Sequence, residues 1–467
     1  MNKIYSITFI SSLIESIEKK DTALVSKELL RKLVVQDDNI CEIIYKCIKN
    51  EVAIDSKNRK LMITVINDTN VDRSNYDGWM LAFYIIMHTG NFDVAFSLRE
   101  NAKKYLYKRY FLKDFDNDGI LLQLLSLALE DGKDELYLEI KEKISNIHSH
   151  FETNTFDTFH SFCTGDIIKL RRDSLAYNED FYNYINNKKV SIIAPTTVES
   201  FDAKEIDSSD VVVRLNYSSK GQGCDPIHKG TRTNISYYNN VTIGKIKAEY
   251  NGVAPNDLDF IVTKKTFEFE NIKNKSGSLF DRVLLNGAFN LLPNALFDLL
   301  MFSPKEIKIF HSDLQIKPAL RVENYYTKGS VFNDDESHKK NVAKSFSVHD
   351  PFGQLELLKR IVRNNTSIIV DEMLSDVINM SPMDYAYELT ENYKPDPKNE
   401  LLIKLDELSQ CLEKQEILLT KKEQKIKKQE NKILILNEKV KKQQDSLSWK
   451  ITYPLRFLNK KINSRYS

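Results

Sequence analysis

Six short β-rich runs constrain this chain more than any other feature of its sequence. VSIIA, DVVVRL, NISYY, DFIVT, EIKIF and SIIVD fall between Lys188 and Asp371 and alternate with helical stretches such as NLLPNALFDLLMF and PFGQLELLKRIVRN. Such alternation predicts an α/β layered domain with a mainly parallel sheet. Ligands in that architecture bind at the carboxyl ends of strands. Residues that close a strand, Arg214 and Asn216 first among them, are therefore candidate site residues.

The flanks follow other periods. From the start to about residue 150 the apolar residues recur at three- and four-residue spacing, as in LIESIEKKDTALVSKELLRKL, which predicts stacked helical hairpins of a tetratricopeptide-like kind. The α/β domain is expected over 185–372 and a polar, proline-containing linker over 373–398. Over 399–446, Leu405, Leu412, Leu419, Ile426, Ile433 and Val440 recur every seven residues, a coiled-coil column. Its companion column, Leu408, Gln415, Lys422, Gln429 and Leu436, is polar in the middle. This predicts a weak or adjustable pairing, as a homodimer or as a helix laid on another domain. The 447–467 tail mixes Trp449, Ile451, Tyr453, Leu455 and Phe457 with Lys450, Arg456, Lys460 and Lys461, a composition suited to an anionic bilayer interface.

With 467 residues the chain has room for several domains, and its charges nearly cancel to a formal net of +1. That balance gives no reason to expect nucleic acid as a partner. Five scattered cysteines show no zinc spacing and fit a reducing cytoplasm. The N-terminal apolar run lacks a small-residue cleavage site and runs on as an amphipathic helix, and no apolar run approaches a membrane span. Membrane contact is therefore expected to be peripheral.

Several motifs lead nowhere. DFDNDG, Asp114–Gly119, begins like a calcium loop, but the twelfth position, where a bidentate Glu is required, is Leu125. Walker, Gly-x-Gly-x-x-Gly, His-Glu-x-x-His and Gly-x-Ser-x-Gly patterns are absent from the sequence. Four places in the α/β region are more informative. SIIAPTT ends in a turn, Ala194, Pro195, Thr196 and Thr197, whose amides and hydroxyls could face a phosphate. EIDSSDVVVRLNY and KGTRTNISYYNN end or follow strands with Arg214, Asn216, Arg232, Ser236, Tyr237, Tyr238 and Asn239. A helix and strand lead to Asp313. In SVHDPFGQLE, His349 precedes Asp350, the expected N-cap, and Pro351 in the first turn. A helix N-terminus favours an anion and keeps a neighbouring histidine neutral, so His349 is a candidate base.

These places, in this order, resemble the sialyltransferases of glycosyltransferase family 29 and their bacterial relatives. EIDSSDVVVRLN with KGTRTN looks like the large sialyl motif, LLPNALFDLLMFSPKEIKIF is similar to the small one, and SVHDPFGQLE to the third motif around its histidine. The match covers about 180 residues. It departs from the pattern at the Ala-Pro-Thr-Thr turn, at Asn294-Ala295 in place of Thr-Gly, and in lacking the cysteine pair of the secreted animal enzymes. The tail also resembles the Ser-x-Ser-Trp-Lys/Arg-x-Thr-x-Pro-Leu-Arg ending of many bacterial glycosyltransferases of capsule and lipopolysaccharide assembly.

The resemblance implies a Rossmann-like variant of the GT-A fold and transfer of sialic acid or Kdo from a CMP donor to a bacterial surface glycan, without a metal or other cofactor. Asn216 and the 194–197 turn would then hold the donor, with His349 as base in an inverting transfer. Asp313 would orient the acceptor or, in a retaining enzyme of the Kdo type, attack the anomeric carbon. The expected place is the cytoplasmic face of the inner membrane. The alternative is an inactive nucleotide- or glycan-binding scaffold of a polysaccharide assembly complex.

Overall fold

The computed structural model describes residues 7–19, 23–49, 56–113, 118–147, 154–166, 178–217, 224–239, 242–244, 258–263, 273–276, 283–285, 287–317, 344–346, 349–393 and 397–463. The DFDNDG segment is largely outside them. Two compact units divide the chain, Met1–Lys394 and Pro395–Ser467.

The first unit is built on a seven-stranded sheet: β1 Lys189–Ile193, β2 Val211–Leu215, β3 Ile235–Tyr238, β4 Phe260–Thr263, β5 Lys273–Ser276, β6 Glu306–Phe310 and β7 Ile368–Val370. All neighbouring pairs are parallel, in the order β5-β4-β3-β2-β1-β6-β7. All six apolar runs form strands. The seventh strand, the polar KNKS of β5, carries no apolar signal and lies at the sheet edge. β2, β3 and β4 are buried at every residue, because helices cover both faces of a parallel sheet and the strands cannot alternate in polarity.

The order of strands decides where a ligand can sit. The chain steps outward from β1 to β5 and then returns to place β6 on the other flank of β1. Adjacent loops after β1 and β6 therefore leave in opposite directions and open a crevice at their carboxyl ends. Ile193 pairs with both Arg214 and Phe310, so the ends of β1, β2 and β6 are level.

Helical hairpins form the front of the same unit. The Ala23–Leu33 and Asp38–Ile48 helices pair, as do Tyr76–His88 with Phe92–Phe111 and Asp118–Glu130 with Asp134–Ile147. Gly90 makes one of these turns at φ +81°, a left-handed conformation that closes a helix cheaply only for glycine. The expected boundary between 150 and 185 falls inside the unit, and one apolar core runs through hairpins and sheet. The Phe159 ring stacks on Phe289 at 5.3 Å, and Phe92 meets Phe346 and Tyr393 edge-on at 5.4 and 5.8 Å.

A buried charge cluster ties the same layers. Arg99 donates to both Glu130 oxygens at 2.7 and 2.6 Å and to Asp350 at 2.5 Å, all three side chains being almost wholly buried. Asp350 also caps the Pro351–Asn364 helix by accepting from the Gly353 amide at 3.1 Å. This cap therefore anchors the helix that leads into β7 to the helical hairpins.

The second unit begins with a single helix, Pro397–Asp445, 49 residues long. A second helix, Leu447–Asn463, follows Ser446 and contains Pro454. Among the described residues no helix is long and apolar enough to cross a membrane.

Candidate functional site

The carboxyl ends of β1 and β6 meet through side chains far apart in sequence. Beyond β1, the Ala194 amide donates to the Phe310 carbonyl at 3.0 Å, and the buried Thr196 hydroxyl donates to Asp313 Oδ1 at 3.2 Å. From the β2 side the buried Lys229 ammonium donates to the carbonyls of Ala194 and Thr196, at 3.3 and 2.5 Å. The Ala-Pro-Thr-Thr turn is thereby clamped between a carboxylate and an amine. Glycines would allow closer backbone approach, whereas this turn is held in place by its neighbours.

The loop after β6 is strained. His311, Leu314 and Gln315 have φ of +61°, +46° and +67°, as does Asn216 after β2 at +53°. Non-glycine residues in this region cost free energy and persist where surroundings over-determine them, most often at functional sites. Asp313 does much of the holding: Oδ1 accepts from the Gln315 amide and Oδ2 from the Lys317 amide, both at 3.0 Å. Asp371, at the exit of β7, accepts from the His311 amide at 2.5 Å and caps the Glu372–Asn379 helix through the Leu374 amide.

Sequence reasoning passed over two residues here, His311 and Lys229. The His311 ring is 1% exposed and its Nε2 lies 2.9 Å from Asp202 Oδ2. Burial pulls its pKa below the ordinary histidine value, against the opposing pull of Asp202. The available signal was position: His311 follows a strand directly, and Lys229 precedes the Gly-Thr-Arg turn.

A cleft of about 730 Å³ opens between these loops and the β7 side, lined by Thr197, Asp313 and Asp371 among others. Among the described residues its carboxylates are Glu199, Asp202, Asp313, Asp371, Glu372, Asp376 and Glu388, against one lining cation, Lys317. Among the described residues no three potential ligands are grouped to hold a metal ion. The cleft is strongly negative and disfavours a phosphate inside it.

The β2 and β3 edge has a different character. Arg214 is buried and donates to the carbonyls of Arg232, Lys229 and Gly230 and to the Thr233 hydroxyl, at 2.8 to 3.3 Å. Burial holds its pKa below the usual arginine value. Arg232 donates to the carbonyls of Asp207 and Ser209 at 2.6 and 2.7 Å. Ser236 accepts from the Tyr217 amide, Tyr237 donates to Asp298 at 2.7 Å, and Tyr238 donates to the Tyr217 carbonyl at 2.5 Å. These five candidate donor residues thus make bonds within the protein, while Asn216 and Asn239 stand at the strand ends, joined by a 3.2 Å bond from the Asn239 amide to Asn216 Oδ1.

The EIDSSDVVVRLN and KGTRTN segments form a brace. Asp207 accepts from the Thr231 and Arg232 amides at 3.0 to 3.1 Å, and Gly230 between Lys229 and Thr231 has φ +69°. A Cβ there would stand 2.4 Å from Asp207 Oδ1. Gly230→Ala is expected to cost about 2–4 kcal/mol, from left-handed strain plus weakened bonds to the carboxylate. Chemical denaturation checks this, and a loss under about 0.5 kcal/mol would show that the turn does not need its glycine.

His349 sits where a second βα connection ends. Its Nδ1 is 3.0 Å from the Ala288 carbonyl, which can only accept, so the proton resides on Nδ1 and Nε2 is the basic nitrogen. The amide of Asn290, which precedes the Leu291–Leu300 helix, donates to Gln354 Oε1 at 2.6 Å. The two helix N-termini are thus side by side. Asn290 also reaches Gln315 in the β6 loop at 3.5 Å. Asn294, in the Leu291–Leu300 helix, is buried and donates to the Phe289 and Asn290 carbonyls. Thr196, Thr197 and Asp313 are brought together in the cleft region, and His349 lies outside the residues that line it.

The class this defines is a parallel α/β protein with a switch-point crevice between β1 and β6 and a helical front. Compared with known protein families, curated proteins and solved structures, the chain finds no match.

Proposed function

We propose that the chain is a glycosyltransferase that moves an acidic sugar, sialic acid or Kdo, from a CMP donor to a bacterial surface polysaccharide or lipopolysaccharide acceptor. One arrangement carries this reading. The segments that resemble sialyl motifs end at one edge of the sheet, at the 194–197 turn, at Asn216, at the Asp313 loop and at the helix start beside His349.

Charge divides the work. The anionic donor belongs over the β1 to β3 ends, near Lys229 and the side chains of Asn216 and Asn239, because the β6 and β7 side is lined with carboxylates. Those carboxylates suit a polyhydroxyl acceptor, whose hydroxyls donate to them. Asp313 already accepts three protein hydrogen bonds, which makes it a poor nucleophile and a good positioner of the turn and the acceptor. An acceptor hydroxyl that projects beyond the cleft lining toward His349 gives its proton to Nε2, its oxygen attacks the anomeric carbon with inversion, and the bond to CMP breaks with its electrons passing to the phosphate. Amides at the helix N-termini stabilise the departing charge. The tail, with exposed Ile451, Leu455 and Phe457 beside Lys450 and Arg456, holds the enzyme on the cytoplasmic face of an anionic membrane.

The test is CMP release by purified protein given CMP-sialic acid and CMP-Kdo separately, with EDTA throughout, with and without acceptor glycan from the source strain. Acceptor-stimulated release from one donor is the expected result. Silence with both donors, from folded protein, would overturn the assignment in favour of a non-catalytic scaffold.

A further inference from the structure

The second unit carries an exposed apolar seam whose flanking charges choose its partner. Leu419, Ile426, Ile433 and Val440 lie one heptad apart on the Pro397–Asp445 helix and are 58%, 54%, 58% and 51% exposed. Single exposed apolar residues are ordinary, but four at a strict seven-residue spacing lie on one face of the helix as a stripe. We propose that this helix pairs in parallel and in register with the same helix of a second copy of the chain, as a two-stranded coiled coil.

Flanking charges decide the orientation. Lys425, Lys432 and Lys439 each precede a seam residue, on one side of the stripe, and Glu416, Glu423 and Glu430 each follow a seam position by four, on the other. An antiparallel pair would set the lysine side against the lysine side and glutamate against glutamate. A parallel pair in register sets each residue on the lysine side against the partner position five residues on, which brings Lys425 opposite Glu430 and puts no like charges together. Ile426, Ile433 and Val440 are β-branched at the seam, which favours two strands. Gln415, Lys422 and Gln429 in the companion column limit the affinity, so the dimer dissociates on dilution. The helix beginning at Leu447 follows after one residue, so pairing brings two basic aromatic tails together and strengthens attachment to an anionic surface by avidity.

Full-length protein should sediment at twice the 54.2 kDa chain mass at tens of micromolar and approach the single mass on dilution. Ile426→Asp with Ile433→Asp should leave only the monomer while the far-UV and thermal signatures of the first unit persist. Lys425→Glu should weaken dimerisation about tenfold, with two repelling pairs made per dimer, and adding Glu430→Lys should restore it. Mild oxidation of Val440→Cys in a Cys411→Ser background should give a covalent dimer. A monomer at every concentration, a trimer, or a dimer that neither cross-links at 440 nor responds to the charge reversal would overturn the proposal.

Discussion

Arg99→Met is expected to destabilise the first unit by about 3–5 kcal/mol, the usual cost of leaving buried charge without its partner. The guanidinium is the only side chain bridging Glu130 and Asp350 among the described residues, and its removal leaves Glu130 to Lys103 at 3.2 Å and Asp350 to the Gly353 amide at 3.1 Å, neither of which replaces the short charged bridge. Chemical denaturation of the variant reads the loss directly. Adding Glu130→Gln and Asp350→Asn removes both carboxylate charges, and asparagine still caps the Pro351–Asn364 helix, so the triple variant should regain much of the stability. A single variant as stable as the wild type would show that the cluster contributes nothing.

The cluster also has a pH signature with two opposing parts. Burial raises the Glu130 carboxyl, but Arg99 and Lys103 outweigh it and hold the group at about 2, below its ordinary 4.5. Its contribution is therefore full above about 4.5 and is lost as the pH falls toward 2. Burial pushes Asp350 above its ordinary 3.8, with Arg99 only partly offsetting. That carboxyl favours the folded state as it takes up its proton on acidification, the opposite sign to Glu130. Glu130→Gln isolates the first contribution, and its stability should fall less steeply below pH 4.5 than that of the wild type.

His349→Ala is expected to lower the acceptor-dependent rate by about 10²–10⁴-fold, the range for losing a positioned general base. Loss of the bond to the Ala288 carbonyl should cost about 1 kcal/mol, and chemical denaturation separates that cost from the change in rate. The decisive reading is the pH profile: with the base removed, the acidic limb of the rate should flatten. A variant with unchanged rate, or one that loses rate only by unfolding, would remove His349 from the mechanism.

Most helices and six of the seven strands were legible because apolar periodicity reports local backbone preference and one-sided burial, but Glu372–Asn379 and Pro382–Tyr393 form helices of the first unit where a linker over 373–398 was expected. β5 was illegible because a polar edge strand leaves no such trace. Motif spacing located the strand ends and the Asp350 cap, both local features. It could not distinguish Arg214, whose guanidinium binds backbone carbonyls, from a residue facing a ligand.

The sequence by itself determined the parallel α/β class, the helical hairpins and the heptad seam, each written in residues close together along the chain. Tertiary structure alone decided that β1 lies between β2 and β6, so that Thr196 meets Asp313 across 117 positions and Arg99 meets Asp350 across 251. It also decided that seven scattered carboxylates line one cleft. Strand order and side-chain convergence arise from long-range packing, and a local pattern carries no record of which distant residue completes it.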